Sequence, residues 1–258
     1  MSFLRRFSMS ALPLFTIVAL IVLWELFVRV FAIPTYVLPA PTQVLAETMR
    51  IGSAVTANSL ATLRTVLLGF ALAVAVSLPL AVMIASSRMF ANAIYPLLVL
   101  TQSVPKVALA PILVVALGPG ESARVVVTFL VAFFPLVIST ATGLIVVPND
   151  LVDLARSLRA TKFQELFLIR LPHAVPFVFS GLKLAITFSV VGATVGEFVA
   201  AERGLGYQIM TATAFLSTPL AYSGLVILSI MGIALFQCVV IIERVFFPWS
   251  VKEEPLAG

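Results

Sequence analysis

Five polar side chains stand where an apolar sequence has least reason to carry them. Gln102, Ser103 and Lys106 interrupt the run Ala93–Leu117, and Thr194 and Glu197 fall late in the run Val175–Ala200. A charge at mid-bilayer costs at least ~2.5–3.5 kcal/mol on insertion scales, so such groups face water, a solute or one another. Lys106 sits near the middle of its run, beside Pro105, whose freed backbone carbonyl is tolerated only where protein or water satisfies it. One reading places all five along a water-filled path between helices. Another makes Lys106 and Glu197 a structural ion pair, or Glu197 a helix cap at the interface. Ser103 with Lys106 also has the makings of a nucleophile and a lysine base, which requires burial to lower the lysine pKa. No G-x-S-x-G, H-E-x-x-H or G-x-x-x-x-G-K-[ST] accompanies them, so neither a hydrolase nor a nucleotide cradle is supported. The single histidine, His173, and single cysteine, Cys238, exclude a metal centre built from such ligands and an internal disulfide. No catalytic residue and no metal ligand is expected.

The elements that must position these residues are membrane spans. The chain has 258 residues, 61% hydrophobic and only 10% charged, against about 25% charged in soluble proteins. Its mean hydropathy is +1.16. Arg5 and Arg6 precede a first apolar run from Leu12 to Ile33, too long and too aromatic at its end (Trp24, Phe27, Phe31) for a cleaved signal peptide. Glu25 is expected at its outer interface. Residues 34–62 read as a loop holding a short amphipathic helix over Thr42–Arg50. Further spans are expected at Leu63–Ala85, Ala93–Leu117, Val125–Val147, Val175–Ala200 and Ser223–Val245, with an outer loop over Ala201–Tyr222. Gly192 and Gly196 have the spacing that lets a second helix backbone approach closely. Six spans of about 20 residues each leave no room for a soluble domain.

The polar interval Pro148–Pro172, PNDLVDLARSLRATKFQELFLIRLP, differs from everything around it. Leu151, Leu154, Ala155 and Leu158 recur at helical spacing after the start signal Pro148-Asn149-Asp150. Thr161 and Gln164 form a capping-box pattern opening a second helix, with Phe163, Leu166 and Phe167 on one face and Pro172 as its stop. Four cations crowd the interval: Arg156, Arg159, Lys162 and Arg170. With the N-terminus inside, nine cations fall on the inner side and five outside, so the positive-inside rule puts this helix pair and both termini in the cytoplasm.

In this interval the chain resembles the permease subunits of ABC importers, whose cytoplasmic motif is E-A-A-x3-G-x9-I-x-L-P. Asp153, Leu154 and Ala155 fall on its opening, Arg159 on its glycine, and Ile169, Leu171 and Pro172 on its ending. Ala155 and the ending match, Asp153 is a conservative departure, and Leu154 and Arg159 depart outright. An arginine at the glycine position must turn the chain by other means, or the elbow shifts to Ala160-Thr161. Other segments are similar to the sulfonate, taurine, nitrate and thiamine-pyrimidine-precursor branch: LPAPTQVLAETM, SVPKVALAPILVVALG, VAFFPLVISTATGL, LPHAVPFVFSGLKLAI and GEFVAAERGLGYQI. The likeness covers nearly everything from residue 37 onward.

The resemblance implies an all-α membrane protein with the six-helix type I importer permease fold and a cytoplasmic coupling-helix pair. Residues 1–62 would form the first span and outer loop, 63–247 the transmembrane domain with its coupling region at 148–172, and 248–258 a cytoplasmic tail. It further implies a second permease copy, a cytoplasmic ATPase dimer and an extracytoplasmic substrate-binding protein. ATP and Mg would bind the ATPase and not this chain. Coupling would engage Asp153, Ala155, Ser157, Leu158, Arg159 and Ala160, then Thr161, Phe163, Leu166, Ile169, Leu171 and Pro172. The solute would be a sulfonate, a nitrate-like anion or a pyrimidine-type compound. A secondary transporter or channel is the competing reading. It would favour an inverted repeat and more paired intramembrane charges, neither evident here, and would leave the basic helix pair to anionic lipid.

Overall fold

The computed structural model describes residues 2–250, so the last part of the expected tail, 251–258, lies outside the described residues. The described residues form helices and turns, with no strand among them. In order these are α1 (Ser2–Val30), α2 (Pro41–Arg50), α3 (Gly52–Ser86), α4 (Arg88–Thr101), α5 (Ala110–Leu117) and α6 (Glu121–Ile145). Then follow α7 (Asn149–Ser157), α8 (Lys162–Glu165), α9 (Leu171–Ala200), α10 (Leu205–Ala214) and α11 (Thr218–Phe246). Among the described residues four helical stretches are long and apolar enough to cross a membrane: α3, α6, the run Lys162–Ala200, and α11. A fifth is counted if the pair Met89–Thr101 and Lys106–Leu117, bent by 82°, is one broken span. Helix α1 coincides with the first expected span as far as Val30.

The core is the sandwich of α6 between α3 and α9. Small residues let these backbones close. A methyl placed on Gly192 would lie 2.8 Å from the Cα of Thr128, and one on Gly196 would lie 3.1 Å from the Cα of Arg124. The glycine pair at i, i+4 on α9 thus meets an i, i+4 pair on α6, as the spacing suggested. Gly69 of α3 meets the side chain of the same Thr128 from the other side. Leu136, Val137, Ala141 and Leu144 of α6 fill the layer towards the α7–α8 end, with Ala81 and Ile84 of α3 and Ala174 of α9.

Three expectations need correction. Helix α3 begins at Gly52, eleven residues before Leu63, so much of the expected loop 34–62 is helical. Two of its polar residues there are satisfied within the helix: Thr56 and Ser59 donate back to the Ser53 and Val55 carbonyls at 2.9 and 2.7 Å. The expected loop Ala201–Tyr222 contains α10 and the start of α11. Pro172 does not stop the second helix of the polar interval. Residues Leu166–Arg170 form a π-helical stretch that joins α8 to α9, with Pro172 in the first turn of α9. The wider turn closes through the Leu171 N–H to the Leu166 carbonyl, giving the proline ring room where an α-turn would clash.

Replacing Gly192 by Leu overpacks the α6–α9 contact, by about 1–3 kcal/mol. The thermal midpoint of the purified protein in detergent should fall. Gly232→Ala is the control, because its nearest neighbour to an added methyl is Val190 Cγ2 at 3.9 Å.

Candidate functional sites: the elbow, the interrupted helix and the far-end network

The interval between α6 and α9 makes an elbow at one end of the sandwich. Helix α7 packs inward through Val152 and Ala155, both 6% exposed, while Leu151, Leu154 and Leu158 point outward. Of the expected apolar stripe, only Ala155 is buried. Asp153 and Ser157 are exposed, and Ser157 Oγ donates to the Leu154 carbonyl at 2.7 Å. The turn falls at Arg159, whose φ of +57° is the left-handed conformation a glycine would favour. The Ala160 N–H then reaches the Ala155 carbonyl at 3.0 Å and closes the helix end. The chain therefore keeps the glycine-type turn in place, with an arginine in it.

Thr161 caps α8. Its Oγ1 accepts from the Gln164 N–H at 3.3 Å, and Gln164 Oε1 accepts the Thr161 N–H at 2.8 Å. Phe163 is exposed and stacks on Phe167 at 4.3 Å between centroids, whereas Leu166 and Leu171 pack on the core. Ile169 is half-buried and Pro172 exposed. Arg170, which the motif leaves unspecified, fixes the elbow to the sandwich. Its Nε and Nη2 donate to Glu165 Oε1 at 2.8 and 2.6 Å, and its Nη1 donates to the Leu144 carbonyl near the end of α6 at 3.0 Å.

The expected path residues fall into three places. Gln102, Ser103 and Lys106 gather at the break between α4 and α5, where Gln102 and Ser103 are exposed and Lys106 half-buried. Lys106 Nζ lies 3.4 Å from the Gln102 carbonyl and 4.7 Å from the centre of the Phe134 ring, midway along α6. Thr194 lines a cavity of about 720 Å³ between α9 and α11, with Thr187, Val191, Leu228 and Gln237.

Glu197 is elsewhere. It is 1% exposed, enclosed under α10 and not open to a path in this conformation. Its Oε2 accepts from the Gly206 N–H at 2.8 Å and from Thr62 Oγ1 at 3.0 Å, while Thr62 Oγ1 accepts the Leu205 N–H at 2.8 Å. The carboxylate thus caps the positive end of α10 rather than its own helix. No ion pair joins it to Lys106. Asn58 extends the network by accepting the Gly204 N–H at 3.1 Å and donating to Gln208 Oε1 at 3.1 Å, and Gln208 in turn donates to Ser223 Oγ at 3.2 Å. Glu25 plays a similar part for α2, accepting the Thr42 N–H at 3.1 Å and Thr42 Oγ1 at 2.8 Å.

Sequence reasoning passed over one further charged site. Lys183 of α9 pairs with Glu243 of α11 at 2.5 Å, and Ser250 Oγ donates to Glu243 at 3.0 Å. The pair borders a cavity of about 970 Å³ with His173, Ser180 and Trp249. Two opposite charges inside separate apolar spans were the available signal.

Bundled apolar helices, four or five of them among the described residues long enough to cross a membrane, fit a multi-pass membrane protein. Residues 77–251 match the family described as the binding-protein-dependent transport system inner membrane component, and the chain belongs to it as a type I ABC importer permease. It is 32% identical over 251 residues to the formylaminopyrimidine transport permease protein ThiX of Halalkalibacterium halodurans, covering 97% of this chain and 100% of that one. It is also 32% identical over 252 residues to the riboflavin transport system permease protein RibX of Chloroflexus aurantiacus, covering 96% and 94%. The taurine transport system permease protein TauC of Escherichia coli is 26% identical over 241 residues, covering 91% and 88%. The family is a transporter permease and not an enzyme.

Glu197→Ala leaves the Gly206 N–H and the Thr62 hydroxyl without their buried acceptor, at a cost of about 1–3 kcal/mol. Amide hydrogen exchange over residues 204–208 should accelerate, while exchange across α6 stays unchanged.

Proposed function

We propose that this chain is the membrane-spanning subunit of an ATP-driven importer, working as a homodimer with a cytoplasmic ABC ATPase dimer. ATP and Mg bind the ATPase. A substrate-binding protein delivers the solute at the face opposite the elbow. Six spans cross the membrane: α1, α3, the broken pair α4–α5, α6, α9 and α11, with both termini and the elbow in the cytoplasm. The nine-to-five distribution of cations supports that orientation. The cargo is a small solute of the kinds named for the relatives, a sulfonate, a nitrate-like anion or a pyrimidine-type compound.

The observation that carries this reading is the elbow's outward face. Leu158 is 75% exposed and Phe163 68%, on a segment that is polar and basic around them. A run of 39 helical residues from Lys162 would extend roughly 60 Å, about twice the hydrocarbon thickness. Its elbow end therefore stands clear of the bilayer. An apolar pair held there is suited to a groove on a soluble partner. The π-helical joint and the Arg170 strut then connect that partner to α9 and α6, the helices that move if the spans alternate between two states.

Leu158→Asp with Phe163→Asp should abolish co-purification of the ATPase with the tagged permease while leaving its thermal midpoint unchanged. Leu166 is unsuitable for this test because it packs on the core. Retention of the ATPase would remove Leu158 and Phe163 from the docking surface, whereas solute uptake by the chain alone in ATP-free vesicles would sink the reading and favour a secondary transporter.

Lys106 and its neighbours Gln102 and Ser103 are assigned to the translocation path because the break in the span leaves Gln102 and Ser103 exposed and Lys106 half-buried beside the middle of α6. Lys106→Met should lower solute uptake by the whole complex at least several-fold while ATPase binding persists. Unchanged uptake removes Lys106 from the path.

A further inference from the structure

The elbow holds an arginine in a backbone conformation that favours glycine. Three residues with side chains have positive φ: Ala32, Arg159 and Leu216. Each follows a helix closed by a backbone bond spanning five residues, from Ile33 to Val28 at 3.1 Å, Ala160 to Ala155 at 3.0 Å and Ser217 to Ala212 at 2.8 Å. Glycine makes the same cap without the clash between Cβ and backbone that an L residue meets there. Strain of this kind persists where the surrounding structure holds it, and at Ala32 and Leu216 the same backbone closure accompanies it. The Ala160 N–H bond needs only the backbone, so it does not explain why this position holds a long cation.

The Arg159 guanidinium is exposed and has no hydrogen bond or ion pair among the described residues. Arg170, the neighbouring arginine of the elbow, is paired with Glu165 and the Leu144 carbonyl. On either side of Arg159 in the sequence stand two exposed apolar groups, Leu158 and Phe163. The tip of the elbow is thus a free guanidinium between two hydrophobic side chains.

We propose that Arg159 is a specificity contact, its guanidinium paired with a carboxylate in the groove of the ATPase that receives the elbow. The assignment rests on the docking reading above and adds the chemistry of the partner's groove. An exposed ion pair contributes little. Here Leu158 and Phe163 shield the pair on docking, so the charges attract through a less polar medium and the planar fork binds both carboxylate oxygens. A groove lacking that carboxylate would bury an unpaired cation, so the contact also discriminates against other ATPases.

The test uses the full-length permease in nanodiscs, titrated with its purified ATPase at low and high salt. Arg159→Gly and Arg159→Asn both fit the left-handed turn, so they should unfold at the same or a higher temperature than wild type. They should bind the ATPase about ten-fold more weakly, as close interfacial charge pairs do, with a shallower salt dependence. Arg159→Asp should bind more weakly still, and exchanging the opposing groove carboxylate for arginine should rescue it. Affinity for the Gly and Asn variants equal to or above wild type overturns the proposal and leaves the docking reading standing. No binding by the wild-type chain overturns both.

Discussion

Thr128 sits where three helix backbones converge. It is fully buried, with Gly69 of α3 on one side and Gly192 of α9 on the other. Between helices in lipid there is no gain from hiding apolar surface, because the lipid tails are as apolar as leucine. Association has to come from close packing, and close packing from small residues. Thr128 fits because its hydroxyl donates to the Arg124 carbonyl one turn back, at 2.8 Å, leaving no unsatisfied polar group in the contact. The same economy recurs along the sandwich. Ser77 of α3 donates to the Phe133 carbonyl at 3.2 Å, and Ser139 of α6 to the Phe177 carbonyl at 2.7 Å. Each of these two serine hydroxyls both satisfies itself and ties two helices.

With the middle of the sandwich fixed in this way, the polar chemistry is distributed to its ends and to one break. At the far end Glu197, Thr62, Asn58 and Gln208 seat α10 on α3, α9 and α11. At the elbow end Arg170 joins the Leu144 carbonyl of α6 to Glu165. Lys183 and Glu243 join α9 to α11 on the same side. A buried ion pair contributes little net stability, and a pair between two spans serves better to fix their register. The α4–α5 break at Gln102–Lys106 presents polar groups that are not consumed in holding helices together, with Lys106 beside Phe134 at the middle of α6.

The spans were legible because hydropathy is additive over about 20 residues and needs no knowledge of neighbours. Their edges were not. Residues 52–62 have the composition of a loop, and only the contacts of Asn58 and Thr62 with the segment 204–208 explain why they are helical. Helix α10 is short, and its start depends on Glu197, which precedes it on another helix. The elbow shows the same division. Its capping box and amphipathic character were readable from local spacing, whereas the face chosen for burial was not. Val152 and Ala155 go inward and the leucines outward, the reverse of what the apolar stripe suggests for a helix resting on its own protein. A stripe says that a partner exists; it does not say whether the partner belongs to the same chain.

The continuity between α8 and α9 follows from the treatment of Pro172. A proline after a short helix ordinarily reads as a stop, because its ring crowds the preceding turn and its missing N–H leaves a carbonyl unpaired. Here the π-helical stretch Leu166–Arg170 widens the turn, and the helix passes through. The two halves of the elbow are therefore mechanically unequal. Helix α7 is joined to its neighbours by the turn at Arg159 and the non-helical residues 146–148, and packs inward through Val152 and Ala155. Helix α8 has no such break before α9, since any displacement of Phe163 is a displacement of the N-terminal end of α9. Under the proposed docking, a partner gripping Leu158 and Phe163 together would hold α7 beside a turn and α9 by a rigid lever. The lever runs past Arg170 to Gly192 and Gly196, where α9 lies against α6, and ends at Glu197. A push at the elbow then arrives at the seat of α10 through one continuous helix.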